Sequence, residues 1–412
     1  MLHVFRHRDL RLVVAARAVS AFGDNVALLV LTLRVYSHGL GPWSVTGLLV
    51  CVGIPTATLA PVAGRLADAI PFRRLAVITA VWQAACCIGL ALVDPLWALY
   101  ALVLVLQVGQ AVGSPAWQAL LPALAEPEEL GAAVSASQAT TLLAVVAAPA
   151  AAGLAVGRLG FGAPMLVDAA TFAVLGAAAL AVRTSRAPKS SHEDAETPAS
   201  FSLRSDPLLG PLVVGICLLV LVGGITNVVE VFLIRGTLGA SATVFGLVAA
   251  LFAAALVVGA VVAGRAAADN ARAMRATFAA LVIAVALACG GLAPAIWMFA
   301  IAWSVLGIAN GVINADVSTL MLHRTPDAFR GRVLARVGAM VTSAEICALA
   351  IGGAAGSLLG ARPTFVVSGV LMALVAIGLF VRLGVRPHHR VAGVEQANRL
   401  ARRRAEPLRD AR

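Results

Sequence analysis

Long hydrophobic stretches without charged side chains alternate along this sequence with short polar segments. An α-helix needs about 20 apolar residues to cross roughly 30 Å of hydrocarbon. Uncharged runs of about that length or more include 43–64, 75–93, 95–125, 130–157, 236–264, 276–315 and 363–381. The run 276–315 is interrupted by Gly290-Gly291-Leu292-Ala293-Pro294, which predicts a turn between two helices. Further apolar stretches that carry a few charges are 11–36, 159–182, 207–234 and 337–361. Together these runs predict an all-α integral membrane protein with about twelve transmembrane helices.

Composition and charge placement agree with a membrane protein and argue against nucleic-acid binding. Of the 412 residues, 60% are hydrophobic and 12% are charged, which lies outside the range of soluble domains. The net charge of +11 is concentrated at the N-terminus, in alternate loops, at the centre and in the C-terminal tail. Such an asymmetry predicts that both termini are cytoplasmic and that the number of helices is even. We therefore expect membrane lipids, and no nucleic acid, as the partners of the basic segments.

A polar segment divides the sequence into two similar parts. Residues 183–208 are rich in Ser, Pro and charge and are predicted to form a cytoplasmic linker. On either side the sequence repeats itself at an offset of about 200 residues, as in Gly64-Arg65 and Gly264-Arg265. This predicts an N-terminal six-helix bundle over 1–182, a C-terminal bundle over 209–385 and a basic cytoplasmic tail over 386–412. Parallel repeats of this kind are typical of alternating-access carriers, whose site lies between the halves.

Motifs for ATP use, metal binding or hydrolysis are missing from the sequence. Its single lysine, Lys189, lies in the linker without a glycine framework before it, so it forms no phosphate-binding loop. No G-x-S-x-G or H-E-x-x-H pattern occurs, and the six cysteines all fall in predicted helices without metal-ligand spacing. We expect no cofactor, no metal and no enzymatic activity, and therefore an ion gradient as the energy source. Thirty arginines against one lysine are typical of a GC-rich bacterial gene, which predicts the bacterial cytoplasmic (inner) membrane as the location.

The predicted loop between the second and third helices reads Gly64-Arg-Leu-Ala-Asp68-Ala-Ile-Pro-Phe-Arg73-Arg74. It resembles the signature G-x-L-x-D-R-x-G-R-[RK]-[RK] of the major facilitator superfamily, and the resemblance extends over nearly the whole chain. The motif departs from the signature where Ala69, Pro71 and Phe72 replace Arg, Gly and Arg. What the resemblance implies is a twelve-helix carrier in which Gly64, Asp68, Arg73 and Arg74 form a cytoplasmic gating latch between the halves.

Three further stretches resemble one branch of that superfamily. They are Phe22-Gly23-Asp24, Val167-Asp168-Ala169-Ala170-Thr171-Phe172 and Arg330-Gly331-Arg332-Val333. All three are similar to the drug-exporter branch that includes macrolide efflux proteins and the enterobactin exporter. The resemblance implies efflux of small molecules, whereas the fold alone also serves uptake symporters and lysophospholipid carriers.

Carboxylates inside predicted helices are the natural candidates for coupling transport to protons. A charge at the bilayer centre costs about 2.5–3.5 kcal/mol on insertion scales, so one that is retained there indicates function. Asp24 shares a helical stripe with Arg17 at the spacing i, i+7. This pair is interpreted as an ion pair that opens when a proton or a cationic substrate arrives; the alternative is a permanent structural pair.

Four other acidic residues fall inside predicted helices. Glu230 shares a face with Asn227 and is predicted to bind a proton or a cationic group, unless it pairs with Arg235. Glu345 is a further candidate for proton coupling. Asp168 is expected to hydrogen-bond between helices, and Asp316 to form a salt bridge with Arg332 or Arg336. Two asparagines at the spacing i, i+4 are expected either to line the cavity or to bond between helices: Asn310 and Asn314.

These features together predict a secondary active transporter, acting as a monomer, that exports amphipathic small molecules by proton-coupled alternating access. A lysophospholipid carrier and an uptake symporter are alternatives within the same fold. A non-transporting membrane scaffold or sensor is the alternative from another class. Such a scaffold would tolerate neutral substitutions at Asp24 and Glu230, whereas a carrier would not.

Overall fold

Twelve long helices make up the described part of the chain. The computed structural model describes residues 7–124, 130–183, 208–265, 268–325 and 329–384. Its helices are α1 (Arg8–Ser37), α2 (Pro42–Ala69), α3 (Phe72–Leu92), α4 (Leu96–Leu124), α5 (Leu130–Leu159), α6 (Gly162–Ala181), α7 (Leu209–Val231), α8 (Ala242–Ala263), α9 (Asp269–Leu292), α10 (Ile296–Arg324), α11 (Arg330–Leu359) and α12 (Ala361–Gly384). A π-helical segment, Phe232–Thr237, continues α7. All twelve are long and apolar enough to span a membrane, which confirms the predicted all-α membrane fold. Most of the predicted linker and all of the predicted tail lie outside the described residues.

The bounds of the helices repeat at an offset of 200 residues. Helix α4 begins at Leu96 and ends at Leu124, and α10 begins at Ile296 and ends at Arg324. The bounds of α5 and α11 differ by the same offset, and so do the first residues of α2 and α8. The helices of each half also pack in equivalent pairs. In the first half, α1 packs on α5 and α6, α3 packs on α4 and α6, and α2 packs on α4. In the second half, α7 packs on α11 and α12, α9 packs on α10 and α12, and α8 packs on α10. The sequence repeat is therefore a structural repeat.

The two halves touch where α5 packs on α8 and α2 packs on α11. We call the side of the bundle where α1 begins the near end, and the side where α1 ends the far end. The Thr46 hydroxyl of α2 donates to the Leu349 carbonyl of α11 at 3.1 Å, and the Thr243 hydroxyl of α8 donates to the Gly153 carbonyl of α5 at 3.3 Å. Tyr36 packs edge-on against Phe232 with ring centroids 5.2 Å apart. Each of these contacts lies toward the far end, so the halves close there.

Toward the near end, α2 and α11 are less closely packed than they are at the far end. A Cβ atom added at Gly64 in α2 or at Gly338 in α11 would meet no other atom within 4 Å. The near part of α11 is accordingly exposed on most of its residues. As far as the described residues show, the space between the halves is therefore closed at the far end and open at the near end. If the near end is cytoplasmic, as the charge pattern predicts, this is an inward-open conformation.

A buried ion-pair cluster joins three helices of the second half. Asp316 in α10 is fully buried and accepts hydrogen bonds from Arg272 at 3.4 Å and from Arg275 Nε at 2.7 Å, both in α9. Arg275 also donates to the Ala263 carbonyl at the end of α8. The predicted partners of Asp316, Arg332 and Arg336, were therefore wrong. Asp316 lies on the face of α10 that packs against α9, whereas these two arginines are exposed on α11.

The equivalent corner of the first half contains aromatic rings instead of charges. Phe72 at the start of α3 packs edge-on against Trp117 of α4, with centroids 5.0 Å apart. With the 200-residue offset, Phe72 corresponds to Arg272, and Trp117 corresponds to the residue next to Asp316. The two halves thus use different interactions to join the same pair of helices.

Candidate functional site

A cavity of about 550 Å³ lies between the two halves. Its walls come from α1, α2, α4 and α5 of the first half and from α7, α8 and α11 of the second. Most of the lining is aliphatic; the polar members are Asn25, Thr32, Thr56, Gln107, Asn227, Glu230, Thr342 and Glu345. No lysine, arginine or histidine is among the described residues that line it. The central cavity is therefore apolar with a negative character contributed by its two glutamates.

Glu230 enters this cavity from α7, one turn after Asn227. Its side chain is partly buried. The alternative partner, Arg235, instead donates from Nη1 to the carbonyl of Ala240 at 2.5 Å. Arg235 belongs to the π-helical segment that begins two residues after Glu230. Such segments are frequent at functional sites, because they change the direction in which neighbouring side chains point.

The remaining candidates of the second half lie beside Glu230. A second cavity, of about 230 Å³, is lined by Asn310, Asn314, Asn227 and Glu345. Asn314 donates to Asn310 at 2.6 Å within α10, which matches the i, i+4 spacing. Asn227 and Glu345 line both this cavity and the central one. The structure therefore brings together all five predicted site residues of the second half.

In the first half, Asp24 belongs to a chain of amide side chains. The Asp24 carboxylate accepts from Gln110 Nε2 at 2.9 Å, and Gln110 Oε1 accepts from Gln83 Nε2 at 2.8 Å. Asp24 and Arg17 line one pocket of about 190 Å³, as their shared stripe predicts. No ion pair joins the two side chains in the part of the chain that the structure describes. Sequence reasoning missed Gln83 and Gln110, although an amide inside an otherwise apolar run is a signal that could have identified them.

Asp168 of α6 lies close to this chain and lines a neighbouring pocket together with Asp24. It accepts hydrogen bonds from the Cys87 thiol of α3 at 3.2 Å and from the Thr171 hydroxyl at 3.1 Å. The interhelical bond expected for Asp168 is therefore present. Its position beside Asp24 was not predicted, because the sequence does not reveal that α1 and α6 pack at this level.

Gly23 permits the close approach of α1 to α6, and its replacement by alanine is expected to lower stability. A Cβ atom at this position would contact Asp168 Oδ1 and the Thr171 hydroxyl far inside van der Waals distance. We expect Gly23→Ala to destabilise the folded protein by about 1–3 kcal/mol through overpacking. The check is the thermal unfolding temperature in detergent. Gly338→Ala is the matched control, because a Cβ there meets nothing within 4 Å, and an equal decrease in both variants would contradict this account.

The residues of the predicted latch lie at the near end, where the halves are apart. Asp68 and Arg74 are exposed, and Arg73 donates to the Val182 carbonyl at the end of α6 at 2.7 Å. Gly64 meets no neighbour. Among the described residues, no ion pair connects Asp68 to the second half. The latch stays a prediction for a conformation in which the near end is closed.

Comparison with known proteins identifies the family. The profile of the Major Facilitator Superfamily matches residues 13–233 and 212–411, which together span most of the chain. The chain belongs to the Major Facilitator Superfamily. It is 26% identical over 400 residues to the uncharacterised transporter of this superfamily YfiS from Bacillus subtilis (strain 168), covering 92% of this chain and 94% of that protein.

Solved structures of other transporters share the fold of this chain. A bacterial homologue of the iron transporter ferroportin in an inward-facing state superimposes with a TM-score of 0.73 at 18% identity, covering 92% of this chain and 99% of that one. The nucleoside transporter NupG superimposes with a TM-score of 0.72 at 13% identity, covering 92% of this chain and 100% of that one. Together with the family match, which decides the assignment, this architecture is consistent with a transporter that works by secondary active transport. The drug-exporter branch stays a prediction.

Proposed function

We propose that this protein exports amphipathic small molecules that carry a cationic group, in exchange for protons. The observation that supports this most directly is the central cavity, in which Glu230 and Glu345 lie among aliphatic side chains with no described basic residue beside them. An apolar wall with a few polar groups fits an amphipathic ligand. Two carboxylates without a cationic partner favour a ligand that brings its own positive charge.

The same carboxylates supply a physical reason for exchange. An ionised Glu230 binds the cationic group of a substrate that enters through the open near end. Once the halves have rocked and the far end is open, a proton on Glu230 removes the charge that held the substrate. The substrate and the proton therefore compete for one group, which is the requirement for antiport. A proton moving down about 150 mV supplies roughly 3.5 kcal/mol for this exchange.

Glu230→Gln is expected to abolish proton movement evoked by substrate. Glutamine keeps the size of the side chain but neither ionises nor binds a proton, so the competition is lost. The measurement uses inverted vesicles that contain the protein, energised by respiration, with a pH-sensitive dye that reports proton release on addition of hydrophobic amines. Asp269→Asn is the matched control, since Asp269 pairs with Arg324 on α9 and α10, away from the cavity.

The outcomes separate the proposal from its alternatives. An unchanged proton signal in Glu230→Gln would exclude this residue as the coupling group. If the folded protein moves no proton with any amine but transfers lysophospholipids between leaflets, the lipid-carrier alternative is supported. If neither activity occurs, the scaffold or sensor alternative remains.

A further inference from the structure

Arg17 is a cation inside a transmembrane helix, and its side chain forms no hydrogen bond or ion pair with any residue that the structure describes. It lies nine residues after the start of α1, about 14 Å along the helix axis. Its partly buried side chain lines the near-end pocket of the first half with Ser20, Asp24, Ser114 and Thr141. Asp24 is held by Gln110 at 2.9 Å and is not paired with Arg17. A charge held in a spanning segment and turned toward the bundle interior is the usual mark of a substrate or ion pathway.

The other arginines of comparable burial all have partners. Arg34 donates to the Leu90 and Val93 carbonyls and to Asp94, and Arg235 donates to Ala240. Arg272 and Arg275 bind Asp316. These four side chains stabilise helix ends or helix pairs. Arg17 makes no such contact, so a purely structural role does not account for it.

The pocket of Arg17 connects to the central cavity through shared walls. Asp24, Gln83 and Gln110 line both pockets of the first half. The second of these pockets shares Asn25 and Gln107 with the central cavity. The pocket of Arg17, the neighbouring pocket and the central cavity with its two glutamates are therefore adjacent, with polar side chains at both boundaries. Arg17 lies at one end of this series of cavities and the two glutamates lie at the other, with Asp24 and Asp168 lining the pockets between them.

We propose that Arg17 binds an anionic group on the same substrate whose cationic group binds Glu230 and Glu345. This inference rests on the proposed function and narrows its substrate class to dipolar amphiphiles. A guanidinium suits this role because it donates two parallel hydrogen bonds to a carboxylate or a phosphate. Arg17 precedes Asn25, which lines the central cavity, by eight residues, or about 12 Å along α1. A substrate chain of about 12 Å is therefore long enough to extend from Arg17 to the level of α1 at which the central cavity begins.

The test compares ligands that differ only in the charge at one end. Purified protein in lipid nanodiscs is titrated with dodecylamine, 12-aminododecanoic acid and the shorter 6-aminohexanoic acid. We expect 12-aminododecanoic acid to bind about 10-fold more tightly than dodecylamine, as one additional charge-assisted contact would give. The short homologue cannot reach both charges and should gain nothing from its carboxylate. 12-Aminododecyl phosphate distinguishes a site that prefers phosphate from one that prefers carboxylate.

The ratio of the dodecylamine and 12-aminododecanoic acid dissociation constants is the decisive quantity. We expect Arg17→Gln to reduce this ratio to about one, and Arg17→Lys to retain part of it. Arg382→Gln, at the end of α12, is the control and should keep the full ratio. A ratio near one in the unmodified protein, with amine binding still dependent on Glu230, overturns this inference and leaves the proposed function intact. A full ratio in Arg17→Gln also overturns it, and failure of every amine to bind refutes both.

Discussion

Asp316→Ala is expected to cause the largest loss of stability of any single substitution considered for this protein. Its side chain is fully buried and forms ion pairs with Arg272 and Arg275, whose side chains are 10% and 31% exposed. Alanine would remove the buried carboxylate that the two guanidinium groups share. Breaking a buried ion pair in this way costs about 3–5 kcal/mol. The three helices that meet here, α8, α9 and α10, should separate at a much lower temperature.

The measurement is thermal unfolding in detergent, and its readout is the fraction of protein that remains monodisperse after heating. Asp269→Ala is the matched control, because the Asp269–Arg324 pair also joins α9 to α10 but is 30% and 28% exposed. Pairs of that kind contribute about 0–1 kcal/mol. Asp316→Asn, which keeps a hydrogen-bond acceptor but removes the charge, should fall between the two. Equal unfolding temperatures for the Asp316 and Asp269 alanine variants would show that this cluster does not hold the three helices together.

Gly246→Leu is expected to force the far end open and to stop transport. Gly246 of α8 lies directly against Gly153 of α5, across the boundary between the halves. A Cβ atom on Gly246 would lie 2.8 Å from the Gly153 Cα atom and would also contact the Pro149 carbonyl. Helix backbones that touch this closely cannot accept a branched side chain without separating. Because this crossing exists only while the far end is closed, the substitution should favour the opposite conformation.

The near end reports this change directly. The separation of the halves can be measured by pulsed electron paramagnetic resonance between spin labels at positions 65 in α2 and 336 in α11. The labels are introduced in a variant without the native cysteines. We expect a shorter distance in Gly246→Leu than in the unmodified protein, and an intermediate population in Gly246→Ala. Gly378→Leu is the control, since this glycine of α12 meets nothing within 4 Å. A folded Gly246→Leu protein with an unchanged distance would argue against rocking of the two halves about this crossing.

Much of the architecture is encoded in the spacing of apolar residues. Charge-free runs and Gly-Pro breaks predicted the number of helices, because the bilayer imposes a fixed length on every segment. The offset between Gly64-Arg65 and Gly264-Arg265 reappears in the bounds of α4 and α10. Length and repeat are properties of a single segment or a pair of segments, so a sequence can carry them.

Partners that depend on helix rotation could not be predicted in the same way. The sequence assigned Asp316 to Arg332 or Arg336, which lie on α11, whereas Asp316 faces α9. The orientation of α10 depends on which neighbour it packs against. The sequence also did not predict that Asp24 and Asp168 line one pocket, because this depends on how α1 and α6 are rotated against each other. The amide chain of Gln83 and Gln110 was missed because a search for charges passes over neutral polar groups. Asn227, Glu230 and Glu345 were identified as candidates, since the cost of a polar group in hydrocarbon does not depend on rotation.

Equivalent corners of the two halves can diverge independently during evolution. A contact between the rings of Phe72 and Trp117 joins α3 to α4. Ion pairs of Asp316 with Arg272 and Arg275 join α9 to α10 in the other half. The contacts within each set join helices of the same half. A substitution in one corner therefore changes the cohesion of its own half and leaves the balance between open and closed ends unaltered. The crossings of α5 with α8 and of α2 with α11 have no such freedom, so the two halves must coevolve there while their interiors drift apart.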